Sequence, residues 1–221
     1  MKVFRQIILI LCALSFCGGV ADASSREERL FTAASSDFKI ENWGRAETEF
    51  AQFAQRYPKS TNAPLAVLLQ AQAQFKQKKY TNIVSTLSRY QALAGGLADQ
   101  YELWTGEAQF ADTNYPAAAD KFLALAKNFP DSPLRLRATV EAAAAYARLA
   151  DWRSHDALLE DTNGLFQKMM ASDPANELVT EGQLSRENSK YQQRDFAGVA
   201  AVYGFLTNEW AALKPEQQFH S

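Results

Sequence analysis

Cysteine and histidine are nearly missing from this chain. Its 221 residues hold two of each, and both cysteines, Cys12 and Cys17, fall close to the start. Beyond Cys17 the sequence therefore has no disulfide framework, no thiol nucleophile and no thiolate metal site. His155 and His220 stand far apart, and no HExxH, paired Cys/His spacing, Walker-type glycine loop or GxSxG is present. An excess of positive charge is missing too. Lys and Arg number 23 against 25 Asp and Glu, a formal net charge of −2, which argues against binding driven by counterion release from nucleic acid. No sustained period-two run occurs, so a sheet is not expected. Gly18-Gly19 and Gly95-Gly96 lack a strand–loop–helix context and read as leader sequence and as a turn. The carboxylates Glu27-Glu28, Glu47/Glu49 and Glu160-Asp161 are scattered along solvated helix faces, whereas acid–base catalysis needs two groups whose surroundings push their pKa values apart. No catalytic, cofactor-binding or metal-ligating residue is identified.

What is present begins with a leader. Lys2 and Arg5 precede the apolar run from Ile7 to Phe16, and Ala21-Asp22-Ala23 places small residues where a signal peptidase cuts. This pattern predicts a signal peptide over residues 1–23, cleavage after Ala23 and a periplasmic or secreted chain. The run is short for a membrane span. Cys17 leaves a second route open: cleavage before it and attachment of lipid, giving an outer-membrane lipoprotein. Phe16 is bulky where that peptidase takes Gly, Ala or Ser. Both cysteines belong to the removed segment if the first route holds.

The remainder repeats itself. The stretch from Trp43 to Ser60 aligns without gaps to Tyr115 to Ser132, an offset of 72 residues, and Tyr80 opens a degenerate copy halfway between. Trp152 starts a fourth copy and Phe196 a fifth, the last interval being 44 residues in place of about 36. An insertion is expected around Ala171 to Asn176, with Asp173-Pro174 marking a loop. Each opening residue comes after a second apolar residue five positions earlier: Phe38, Phe75, Phe110, Ala147 and Tyr191.

Each copy reads as two antiparallel helices. Asn42, Asn114, Asp151 and Asp195 precede the opening aromatic, where a side-chain oxygen can accept from unpaired backbone N–H groups. Pro116 suits a first turn, Tyr57-Pro58 and Phe129-Pro130 stop the second helix, and Ser60 and Ser132 cap the helix of the next unit. Apolar residues recur at three-to-four spacing, as in Ala46, Phe50 and Phe53 or Ala118, Phe122 and Leu125. One such pair cannot bury its stripe alone, but stacked pairs share a continuous core. Gly106 and the run from Ala142 to Ala145 allow helices to approach closely.

The residues Ala34, Trp43, Ala46, Phe50 and Pro58, and again Gly106, Tyr115, Ala118, Phe122 and Pro130, resemble the tetratricopeptide repeat pattern. The resemblance covers about Arg26 to Trp210. Unit two departs from it with Gly95 at the proline position and unit four with His155 at the alanine position. It implies an all-α, right-handed superhelical solenoid of about five helix pairs over residues 24–214, with units near 27–60, 64–95, 99–132, 136–170 and 180–212 and a tail at 215–221. The phrase from Phe50 to Ala63 further resembles repeats of bacterial envelope proteins of the outer-membrane-assembly lipoprotein and Tol-Pal coordinator type.

That resemblance implies a non-enzymatic, exported scaffold binding a protein or peptide in the cell envelope, with no cofactor, no nucleic acid and no membrane span after signal cleavage. A lipid-anchored assembly subunit and a self-associating structural module are the alternatives. The partner-binding groove would come from the first helix of each unit. By register it comprises Phe31, Leu68, Leu103 and Val140 at one position and Ser35, Gln72, Glu107 and Ala144 a turn later. An apolar centre with polar flanks suits a peptide, although the apolar set also fits burial between helices. Lys and Asn lines for a C-terminal carboxylate are not evident, whereas Arg137 and Arg148 suit an acidic motif or a solvated face.

Overall fold

A computed structural model of the chain describes residues 26–201 and Gly204. The signal segment, Cys17 and the 215–221 tail lie outside the described residues. Among those described there is no strand, and the chain is an all-α solenoid. In chain order the helices are α1 (Arg26–Lys39), α2 (Trp43–Arg56), α3 (Ala63–Lys76), α4 (Tyr80–Arg89), α5 (Ala98–Ala111), α6 (Tyr115–Asn128), α7 (Arg135–Arg148), α8 (Trp152–Glu160), α9 (Leu165–Ser172) and α10 (Glu177–Gln192). Short 3-10 turns at Gln91–Leu93 and Gly95–Leu97 join α4 to α5. A further helix begins at 196.

The repeat is written most clearly in its turns. Between the two helices of each unit one residue adopts a left-handed conformation: Glu41, Lys78, Thr113, Ala150 and Arg194, with φ between 55° and 63°. Each lies two residues before the side chain that opens the second helix. Around each, the same two backbone bonds close a Schellman motif. At Thr113, for example, the Thr113 N–H donates to the Phe110 carbonyl and the Asn114 N–H to the Gln109 carbonyl, satisfying carbonyls left over at the helix end. Capping then starts the next helix at Asn114, Asp151 and Asp195, whose side chains accept from the N–H groups of Ala117, Ser154 and Gly198. Asn42 departs from the expectation. It makes no cap bond, and its amide donates to the Asp37 carboxylate at 3.2 Å instead.

Ser60 and Ser132 each accept from the N–H two residues on and donate back to the first helix of their own unit, Ser60 to Glu27 and Ser132 to Asp99 at 2.6 Å. Each thus ties the exit of its unit to its entry.

Packing obeys the register. Ala34, Ala71 and Ala143 are fully buried at the small-residue position that Gly106 takes in unit three, and Phe50, Leu87, Phe122 and Leu159 are fully buried at the equivalent place in the second helices. The five-residue pairs are edge-to-face contacts: Phe38 on Trp43, Phe75 on Tyr80, Phe110 on Tyr115 and Tyr191 on Phe196, with ring centroids 5.1 to 6.3 Å apart.

The extra length of unit four is spent differently from the expected loop. Its second helix stops at Glu160. There the Asp161 carboxylate accepts from the Asn163 N–H at 3.0 Å and its carbonyl from the Gly164 N–H at 2.8 Å, a local turn that competes with continued helix. The chain then forms α9, which drives a fully buried Phe166 under α10. Asp173-Pro174 does turn the chain, between α9 and α10.

Candidate functional site

First helices of successive units touch one another, as in α1 with α3, α3 with α5 and α7 with α10, while second helices make no comparable contacts among the described elements. Closer spacing on one side of a stack makes that side the inside of its curve, so α1, α3, α5, α7 and α10 form the inner layer.

Burial redistributes the candidates on that layer. Leu68, Leu103, Val140 and Gln72 are all less than a tenth exposed, and Phe31 packs edge-on against Phe50 and Phe53. These five are packing residues in this arrangement, because the three-to-four stripe that suggested a groove is the same stripe that seals neighbouring helices. Ser35 spends its hydroxyl on the Phe31 carbonyl. Ala144 is half-buried. Glu107 alone of the named groove residues puts a charged group into a cross-unit contact, since Arg137 of α7 donates to it at 2.6 Å.

Arg137 also pairs with Glu141 at 3.7 Å. Its charge is therefore engaged within the chain, which removes it as a free receptor for an acidic motif. Arg148 stands over the Phe110 ring at 5.9 Å. Glu141 and Glu181 were not among the sequence candidates. The available signal was the i, i+4 spacing of Arg137 and Glu141, and nothing local pointed to Glu181. Burial pushes the Glu141 carboxyl up to about 8; Glu107 and, more weakly, Glu181 add to the rise and Arg137 opposes it. Burial likewise raises Glu107, with Arg137 opposing and Glu181 adding. Glu107, Glu141 and Arg137 thus meet on the inner layer of units three and four, with the exposed Glu181 of unit five within reach of their electrostatic field. Leu184, one turn beyond Glu181, is 53% exposed.

A second polar cluster lies between α8 and α10. The fully buried His155 places Nδ1 2.8 Å from Asp156 and Nε2 2.8 Å from the Ser185 hydroxyl. The order Ser–His–Asp suggests a nucleophile, yet the surroundings do not supply the rest of that chemistry. Ser185 sits within α10, where helical N–H groups are already bonded and no oxyanion site opens. Asp156 is shared with Ser189 and Gln193. The cluster holds helices together. Among the described residues no group of His, Cys, Asp and Glu is arranged to hold a metal ion, and no helix is long and apolar enough to cross a membrane.

Residues 101–132 match the tetratricopeptide repeat family model. That segment runs from the buried Tyr101 of α5 to Ser132 after α6 and is the copy whose Gly106, Tyr115, Ala118, Phe122 and Pro130 keep the pattern intact. With the helix-pair stack it defines a tetratricopeptide-like solenoid. Among solved structures the chain is similar to the MamA RS-1 ArsTM double mutant, with a TM-score of 0.66, 12% identity and coverage of 85% of this chain and 96% of that one. It is also similar to a Podosopora anserina protein of nearly identical TPR-like repeats, assigned as a kinesin light chain, with a TM-score of 0.65, 13% identity and coverage of 86% and 97%. At these identities the likeness is one of fold. No curated protein sequence matches the chain.

Proposed function

We propose that this chain is a non-enzymatic, exported scaffold that binds a protein or peptide partner in the bacterial cell envelope. The observation that carries the binding part is the convergence of Glu107, Arg137 and Glu141 from two successive units on the inner layer, with Glu181 within reach of their field and beside the exposed Leu184. A solenoid presents such a surface largely pre-formed, so few contacts are needed for selectivity. Export is supported by Lys2, Arg5, the apolar run from Ile7 to Phe16 and Ala21-Asp22-Ala23. The envelope is supported by the resemblance over Phe50 to Ala63.

A photo-crosslinker placed at Leu184 or Ala144, with Thr48 on the outer helix α2 as control, tests the binding face in the native host. Discrete adducts from the inner positions and none from Thr48 are expected; equal labelling from both sides overturns the assignment. The intact mass of the exported protein tests the compartment. A soluble species beginning at Ser24 is expected, whereas a membrane species beginning at Cys17 with acyl mass moves the reading to the lipid-anchored alternative.

A further inference from the structure

α10 is held by two different kinds of contact along its length. In its first half, Val179 is fully buried in a cluster with Leu136, Val140, Ala143, Leu159 and Phe166, and Leu178 packs against that cluster. Gly182 lies so close to Phe166 that a Cβ there would come within 2.2 Å of the ring. Beyond Gly182 the character changes. Leu184 and Tyr191 are 53% and 61% exposed, and among the described residues the apolar core clusters reach α10 through Leu178 and Val179.

The second half of α10 is joined to α8 by polar contacts. Ser189 donates to the Asp156 carboxylate at 2.7 Å, and Gln193, just past the helix, donates to its other oxygen at 2.8 Å. Lys190 stands 2.7 Å from Glu160 and 3.6 Å from Asp156, and Arg186 reaches Glu160 at 3.4 Å. Ser185 meets His155. The ion-paired side chains Asp156, Glu160, Arg186 and Lys190 are only partly exposed, so the pairs are stronger than surface ion pairs but still open to screening by salt.

We infer that the second half of α10 is a charge-held strap, fastened to α8 at Asp156 and Glu160 and hinged at the Gly182–Phe166 contact, which opens as those charges are removed or screened. The first half of the helix is anchored by apolar burial, which salt does not weaken. The second half depends on attraction, which salt does weaken. Opening the strap therefore shifts Leu184 and the nearby wall of the proposed binding face. The strap itself needs no partner, so its test is independent of the proposed function.

Amide hydrogen exchange on the whole chain, read out by mass spectrometry, reports on it directly. Replacing Asp156→Asn, or raising salt from about 0.05 to 1 M, is expected to speed exchange over 185–193 by about tenfold or more, with 64–128 unchanged. A second variant, Lys190→Met, should act in the same sense, whereas Phe166→Leu should loosen 177–182 first. Unchanged exchange at 185–193 in Asp156→Asn, or an equal rise along the entire chain, overturns the strap.

Discussion

Gly106 and Phe122 are matched to one another: a Cβ on Gly106 would lie 2.6 Å from the edge of the Phe122 ring. Units two and four place alanine at this position, Ala71 and Ala143, and carry the smaller Leu87 and Leu159 where unit three has Phe122. Unit one combines Ala34 with Phe50, so the demand for glycine comes from where the Phe122 ring sits against α5 in unit three. Gly106→Ala is expected to cost about 1–3 kcal/mol by overpacking, despite the better helix propensity of alanine. Phe122→Leu in the same chain should recover part of that loss. A double-mutant cycle by urea unfolding measures the coupling, and simple additivity of the two changes would count against the pairing.

Thr113 makes a second point about local fit. It holds φ 63° in the unit-three Schellman turn, a left-handed conformation disfavoured for a β-branched residue. Thr113→Gly removes that strain at some cost in chain entropy. A net gain of roughly 0.5–1 kcal/mol is expected. Thermal and urea unfolding of the variant check it, and a loss of stability would show that the Thr113 side chain contributes more than its backbone costs.

Most of the fold was legible because the information is local and repeated. Ala34, Trp43, Ala46 and Phe50 recur as Gly106, Tyr115, Ala118 and Phe122, and proline, serine and asparagine mark the helix ends at matching places. The left-handed turns were not legible, because Glu41, Lys78, Thr113, Ala150 and Arg194 share no side-chain chemistry; the geometry belongs to the backbone and is imposed by the helices on either side. The helix α9 was missed because its apolar residues, Leu165, Phe166, Met169 and Met170, acquire a role only against distant partners, Leu136, Val140 and Ala143 of α7 and Val179 of α10. The candidate site was legible at Glu107 and Arg137 but not at Glu141 or Glu181. Periodicity reports that Leu68, Leu103 and Val140 face inward but not whether another helix already covers them.

Tyr101 joins units two and three through a single polar contact. Its ring is fully buried and its hydroxyl donates to the Pro64 carbonyl at the start of α3 at 2.8 Å. Burial holds the phenol well above its ordinary pKa, so it remains a donor in ordinary buffers. Tyr101→Phe keeps the packing and removes the second donor to a carbonyl that also accepts an intrahelical bond of α3, for a cost of about 1 kcal/mol. Chemical unfolding of the variant provides the measurement; a change below the error of that method would mean that the helical bond alone satisfies Pro64.

Glu141 gives the inner layer its own pH signature. Burial first, and then the charges of Glu107 and Glu181, raise its carboxyl from 4.5 to about 8 against the pull of Arg137. Between those two values the folded chain holds a proton that the unfolded chain has released, so stability falls as pH rises through the window and levels off above it. Glu107 is shifted in the same direction, so the two carboxyls act together and the decline belongs to the pair. Glu141→Gln removes one member without emptying the space. The variant should match the parent near pH 4 to 5 and become increasingly more stable than it toward pH 8, by on the order of 1 kcal/mol for each pKa unit relieved. Unfolding curves at about half-unit steps across this range resolve the difference. A variant whose stability declines in parallel with the parent would place the proton on Glu107 and leave Glu141 ionised throughout.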